Sequence, residues 1–222
     1  TLHNNHAYHL GFNLLGNQLD DGTTLSVPKN VTVMVDAGVI FQLRRAQISA
    51  GSTNPAIASD RSGGALQILG IPGKSVYFTS YNEQSSAANT NIGFDTNPFT
   101  TTPSAGDWGG ISFKNDLDRA DGRYVSEDKG IFLNYVNHAD IRYGGGQVDV
   151  DSVVQVVNPI HMTDARPAAT YNTITRSADA AMSANPDSFE ETNFASPRYS
   201  PSAVTSYTID YQRVGPDIHG NL

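Results

Sequence analysis

The chain contains no cysteine, so no disulfide reports on its redox compartment, and the count is compatible with secretion. Charge is scarce: 16% of residues are charged, against roughly 25% in ordinary soluble domains. The excess of alanine, leucine, glutamate and lysine that marks long helices is missing, which argues against a helix bundle. No apolar run approaches the ~18 residues needed to cross a bilayer, so no membrane span is expected. The first residues, Thr1, Leu2, His3, Asn4 and Asn5, lack the charged-then-apolar form of a signal peptide. There is no initial methionine, and the chain is expected to be a processed or excised segment.

Basic residues are also short, with Lys and Arg numbering 14 against 22 Asp and Glu, for a formal net charge of -8. Such a chain has no Lys/Arg stripe to displace counterions from a phosphate backbone, so nucleic acid is not an expected partner. No Gly-x-Ser-x-Gly elbow is present, and no Ser/His/Asp triad is expected. Gly144-Gly145-Gly146 lacks the Lys-Ser/Thr that a phosphate cradle needs and reads as a corner or bulge.

What is abundant is neutral polarity. Gly, Asn, Ser and Thr are frequent while hydrophobic residues still make up 38% of 222, enough for one sizeable core. The clearest periodicity is at 31–48, VTVMVDAGVIFQLRRAQI, where apolar and polar residues alternate and break once at Asp36-Ala37-Gly38. Two short strands meeting at a tight corner are expected there. A second pair follows at 65–69 and 75–79, separated by Gly70-Ile71-Pro72-Gly73, a turn signal. Similar phrases recur at 109–114, 130–143, 153–162 and 169–177, spaced by roughly 20 to 35 residues, the range of solenoid repeats. No Asn-Gly or Asp-Gly pair joins consecutive strands. Parallel rungs stacked into a coil are therefore expected in place of hairpins, each burying Val, Ile, Leu and Phe against its neighbours.

The expected fold is all-β: a right-handed parallel β-helix (solenoid) with long loop insertions and an irregular C-terminal arm. One domain, 1–222, divides into an N-terminal segment 1–23, core rungs 24–183, the irregular arm 184–206 and a terminal rung or contact segment 207–222. The arm contains ANPDSFEETNFASPRYSPS with its prolines. Insertions at 52–64, 83–106 and 116–128 are expected to leave the corners of the coil, where long loops carry binding.

Four phrases carry a resemblance to the pectin-lyase-like right-handed β-helices of large secreted or cell-surface bacterial proteins. They are Val33-Met34-Val35-Asp36-Ala37-Gly38-Val39-Ile40-Phe41, Val76-Tyr77-Phe78-Thr79-Ser80, Gly106-Asp107-Trp108-Gly109-Gly110-Ile111 and Asn137-His138-Ala139-Asp140-Ile141-Arg142-Tyr143-Gly144-Gly145-Gly146. The resemblance covers about 24–183. It implies an extracellular or surface location and a passenger, stalk, adhesive or fibre role. Continuation into a longer chain, or end-to-end self-association through segments 1–17 and 207–222, is the expected partnership, since an unpaired solenoid end templates pairing.

An enzyme of this fold is the alternative, a polysaccharide lyase or hydrolase, or else a carbohydrate-binding module. Hydrolases of the fold commonly carry Asn-Thr-Asp, Asp-Asp and Gly-His-Gly signatures. Here only Asp20-Asp21 and Ile218-His219-Gly220 come near them, so no catalytic residue is assigned. Arg142 or Arg176 on strand edges is the nominee for a lyase base, with surface ion pairing as the favoured role. Trp108, Tyr135 and Tyr143 are candidates for stacking on a glycan, with space-filling between rungs as the competing role for Trp108. Asp116, Asp118, Asp121, Glu127 and Asp128, with Asn115 and a bend at Gly122, offer hard oxygen ligands for calcium. The competing role is a solvated acidic loop balanced by Lys114, Arg119 and Arg123. Asp149 and Asp151 form a weaker second candidate. His3, His6 and His9 would approach one another within metal-binding reach on a helical turn but split between two faces of a strand, and an incidental polar terminus is the favoured reading.

Overall fold

The computed structural model describes residues 1–52, 60–61, 63–83, 102–114, 133–150, 152–163, 165–185, 188 and 216–222. Among these residues the regular structure is β throughout, apart from a single 3-10 position at Ser188. The strands are β1 (Ala7–Gly11), β2 (Leu25–Ser26), β3 (Thr32–Asp36), β4 (Ile40–Arg44), β5 (Ile48–Ala50), β6 (Ala65–Leu69), β7 (Val76–Ser80), β8 (Ile111–Lys114) and β9 (Tyr135–Asn137). They continue as β10 (Ala139–Arg142), β11 (Gln147–Val150), β12 (Val153–Val156), β13 (Ile160–Thr163), β14 (Ala168–Thr170), β15 (Thr173–Thr175), β16 (Met182–Ala184) and β17 (Asp217–His219).

Three five-stranded parallel sheets result. Sheet one is β3-β6-β9-β14-β17, sheet two is β1-β4-β7-β10-β15 and sheet three is β2-β5-β8-β13-β16. The chain visits the three in rotation, so β3, β4 and β5 make one circuit and β6, β7 and β8 lie on the next. This order is compatible with the expected parallel β-helix. Circuit length varies with what lies between the strands: Ile48 follows Leu25 by 23 residues and Met182 follows Ile160 by 22, whereas Ala168 follows Tyr135 by 33 because the β11–β12 hairpin lies between them.

The register explains the core. Strand side chains alternate in direction, and parallel in-register pairing stacks like positions from circuit to circuit. Sheet two aligns Tyr8, Phe41, Phe78, Ile141 and Ile174. Sheet three aligns Leu25, Ile48, Ile111, Ile160 and Met182. Sheet one aligns Val35, Ile68, Val136, Ala169 and Ile218. Phe41 and Phe78 stack with ring centroids 4.9 Å apart and planes 2° from parallel. Each Val, Ile or Phe fully buried in these rows contributes roughly 1.5–3 kcal/mol.

Backbone packing between circuits is equally close. Gly51 has φ +79°, and a Cβ there would lie 1.6 Å from the Lys114 carbonyl oxygen, so no other residue fits without displacing the next circuit.

Several corners use left-handed residues that are not glycine: Arg45 (φ 51°), His138 (φ 48°), Tyr143 (φ 62°), Tyr171 (φ 56°) and Arg176 (φ 57°). At the corner before β15, Asn172 is fully buried and ties three circuits together. Its Oδ1 accepts the Ala139 N–H at 2.8 Å, and its Nδ2 donates to the Val136 carbonyl at 2.8 Å and to Asn221 Oδ1 at 2.9 Å.

Two expectations need correction. The phrase at 31–48 holds parts of three strands, because Arg45 turns a corner that carries no glycine signal. The stretch 153–162 is divided between β12 and β13. β12 folds back antiparallel on β11, pairing Val150 with Val153 and Gln147 with Val156. A hairpin therefore exists without Asn-Gly: Ser152 takes φ 68° and its N–H donates to Asp149 Oδ1 at 2.8 Å, an Asx-type turn.

Candidate functional site

The densest polar cluster among the described residues lies at the end of β7 and β10 in sheet two, at the neck of the insertion that follows Glu83. Glu83 is buried at 6% exposure. Thr79, one helical turn earlier in number but on the strand, donates its hydroxyl to Glu83 Oε2. Arg142 and the Tyr143 hydroxyl both donate to Oε1 at 3.4 Å, and the Glu83 carbonyl accepts from Gln42 Nε2 at 3.2 Å. Arg142 also grips Asp140 through Nε and a terminal nitrogen, each at 2.7 Å. Arg176 donates to the Tyr143 hydroxyl and lies over its ring, 5.2 Å from the centroid.

The other side of the neck is fastened by Asp107. Its Oδ2 accepts from Ser80 Oγ at 2.5 Å, Asn82 Nδ2 at 3.2 Å and the Ser104 N–H at 3.0 Å. The two carboxylates thus hold the last residues before the insertion and the first after it. In both, the carboxylate oxygens serve as hydrogen-bond acceptors for groups from separate parts of the chain. The hydrogen bonds that Arg142 donates to Asp140, reinforced by the charges of Asp140 and Glu83, hold the Arg142 pKa above its ordinary value despite partial burial. Arg142 is engaged in ion pairs with Asp140 and Glu83. The arrangement is suited to anchoring a loop.

The residues expected to stack on a glycan do not form a platform. Trp108 is 0% exposed, with Phe78 6.4 Å from its ring and its Nε1 donating to the Arg142 carbonyl at 2.7 Å. It fills the core and offers no face to a sugar. Tyr143 is 3% exposed and is committed to Glu83 and Arg176. Tyr135 is half-buried on sheet one. The calcium candidates Asp116, Asp118, Asp121, Glu127 and Asp128 lie outside the described residues, as does Asp151.

The N-terminal histidines also separate. His3 Nδ1 lies 2.6 Å from Asp36 Oδ2, His6 leans on Tyr8 and His9 meets the edge of Tyr81. No group of three or more His, Asp or Glu able to hold a metal occurs among the described residues.

Sequence reasoning passed over Glu83, Asp107 and Asp140, having counted Glu83 as the first residue of a loop. The available signal was the placement of Glu83 and Asp107 at the two mouths of one insertion. The outer face of sheet three was also missed. There Ser26, Ser49, Ser112, His161 and Ser183 occupy one register row. His161 Nδ1 is 2.8 Å from Ser183 Oγ and Nε2 is 3.3 Å from Thr163 Oγ1. Burial, with a smaller contribution from Lys114, lowers the His161 pKa from its ordinary 6.5. No family model matches the chain, and neither a curated protein nor a solved structure matches it.

Proposed function

We propose that the chain is an extracellular structural and adhesive module, a right-handed parallel β-helix of the pectin-lyase-like type found in secreted and cell-surface bacterial proteins. The right hand follows from the strong preference of parallel crossovers for that sense. The module stacks end to end, on another copy or on further circuits of a longer chain, and displays its insertions from the corners. Calcium binding to the 116–128 loop and glycan contact through the insertions belong to the same proposal. Catalysis does not.

One observation carries the end-to-end reading. The inward rows are sealed in the middle circuits, where Phe78, Ile111, Ile141 and Ile160 are 0% exposed. In the same rows Tyr8 and Leu25 at one end, and Ile174 and Met182 at the other, are only partly buried. An apolar row left half open beside a sheet edge is what a further circuit would cover. The neck at Glu83 and Asp107 supports the display role, because it fixes both ends of an insertion to rigid strands.

Electron microscopy of the purified protein, with and without a calcium chelator, tests this. End-to-end fibres are expected, and their loss on chelation would implicate the 116–128 loop. Dispersed single particles in both conditions, at high protein concentration, contradict self-stacking. Release of sugar from polysaccharide would overturn the non-enzymatic reading.

A further inference from the structure

We infer that the β11–β12 hairpin is a self-pairing surface, through which two copies join side to side by antiparallel pairing of β12 with β12. The hairpin stands off sheet three. On one side Val148 and Val150 pack with Val157 into a small cluster of their own, and Gln47 Nε2 donates to the Asp149 carbonyl at 3.3 Å. Beyond it, β12 is exposed along its whole length, with Val153 at 61%, Val154 at 66% and Val156 at 47%. Among the described residues the sheet has two strands, with β12 paired to β11 alone.

Edge strands of this composition are normally guarded by lysine, proline, a bulge or a covering loop. β12 reads Val-Val-Gln-Val and carries none of these in its sequence. The register also determines which backbone groups are free. The pair flanking a two-residue connection exchanges both hydrogen bonds, and the pattern then alternates along the strand. With Val150 opposite Val153 and Val148 opposite Gln155, residues 153 and 155 spend their N–H and C=O groups on β11. Val154 and Val156 direct theirs outward.

That spacing is self-complementary. A two-fold axis through Gln155 sets Gln155 opposite its own copy and Val154 opposite Val156 of the second copy, so all the outward groups of both strands are paired. The same register places valine against valine on one face, a favourable cross-strand pair. Charge selects this site over others. Two copies of a chain with net charge -8 repel, but β12 is uncharged. Asp149 on β11 would be three strand spacings, about 14 Å, from its counterpart, beyond the ~8 Å screening length at physiological salt. The contact is lateral, so it does not depend on the end rows of the proposed fibre.

The chain has no cysteine, which makes a single-cysteine test clean. A non-hydrogen-bonded antiparallel pair sets Cα atoms about 4.5 Å apart, within the ~4.4–6.8 Å that a disulfide spans. Under mild oxidation, Gln155→Cys is expected to form a covalent dimer at least about ten-fold faster than Leu15→Cys, which is likewise exposed and lies in the turn after β1. Adding Val154→Lys to Gln155→Cys is expected to return the rate to the control value, with an unchanged circular dichroism spectrum. Equal rates for Gln155→Cys and Leu15→Cys overturn the proposal. So does cross-linking indifferent to Val154→Lys, or sedimentation showing the unmodified chain monomeric at every concentration.

Discussion

The middle and the ends of the stack are built from the same rows and differ in what covers them. Phe41 and Phe78 stack face to face at 4.9 Å with almost no exposure. Tyr8 continues that row, tilted 28° against Phe41 at 5.3 Å, but among the described residues no strand lies on its other side. Stability in such an array is approximately a sum of nearest-neighbour terms. A residue with neighbours above and below should therefore matter about twice as much as one with a single neighbour, whatever its chemistry.

Phe78→Ala provides the sharpest contrast and the largest expected effect, about 4 kcal/mol lost in a urea titration. Tyr8→Ala in the same row should lose about 1–2 kcal/mol, because its ring is only half buried. Equal losses would mean that the end row is covered in solution. Asn172→Ala comes next, at roughly 2–3 kcal/mol. It strands the Ala139 N–H and the Val136 carbonyl inside the corner without removing much apolar surface.

Glu83→Gln should cost about 2 kcal/mol, since it removes the charge that Arg142 pairs with and sets an amide donor where the Thr79 hydroxyl now finds an acceptor, while Asp140 still holds the guanidinium. Limited proteolysis should then cut the neighbouring insertion sooner than in the parent chain. The smallest effect is a pH dependence. His161 has a lowered pKa in the folded chain, so as pH falls through 6.5 the unfolded chain takes up a proton that the folded chain resists. Stability therefore declines from pH 7 towards pH 5, and His161→Gln should flatten that part of the profile. A decline of the same size in the variant would remove His161 as its source.

Much of the array was legible in the sequence because the middle circuits obey period-2 alternation. The strands at 65–69 and 76–80 are close to what Ala65-Leu66-Gln67-Ile68-Leu69 and the Gly70–Gly73 turn announce. Corners were legible only where glycine marks them. Arg45, His138 and Tyr171 adopt left-handed conformations that ordinary residues enter only when surrounding contacts enforce them, and no local pattern reveals that. The hairpin was hidden for a related reason: its turn rests on the Asp149 side chain, a contact of no distinctive spacing. The site was least legible, because Glu83 and Arg142 meet across 59 positions of chain and Asp107 reaches back 27 positions to Ser80. Trp108 drew attention as the only tryptophan, yet its rarity says nothing of its direction, and the coil turned it inward.

Amide hydrogen exchange as a function of protein concentration tests the account most directly. At low concentration the amides of β7 and β10 should be protected far longer than those of β1, β15 and β16, and raising the concentration should slow exchange selectively in these end strands. Uniform protection from end to end, unchanged by concentration, would contradict the claim that sealed middle circuits lie between open faces built to be stacked upon.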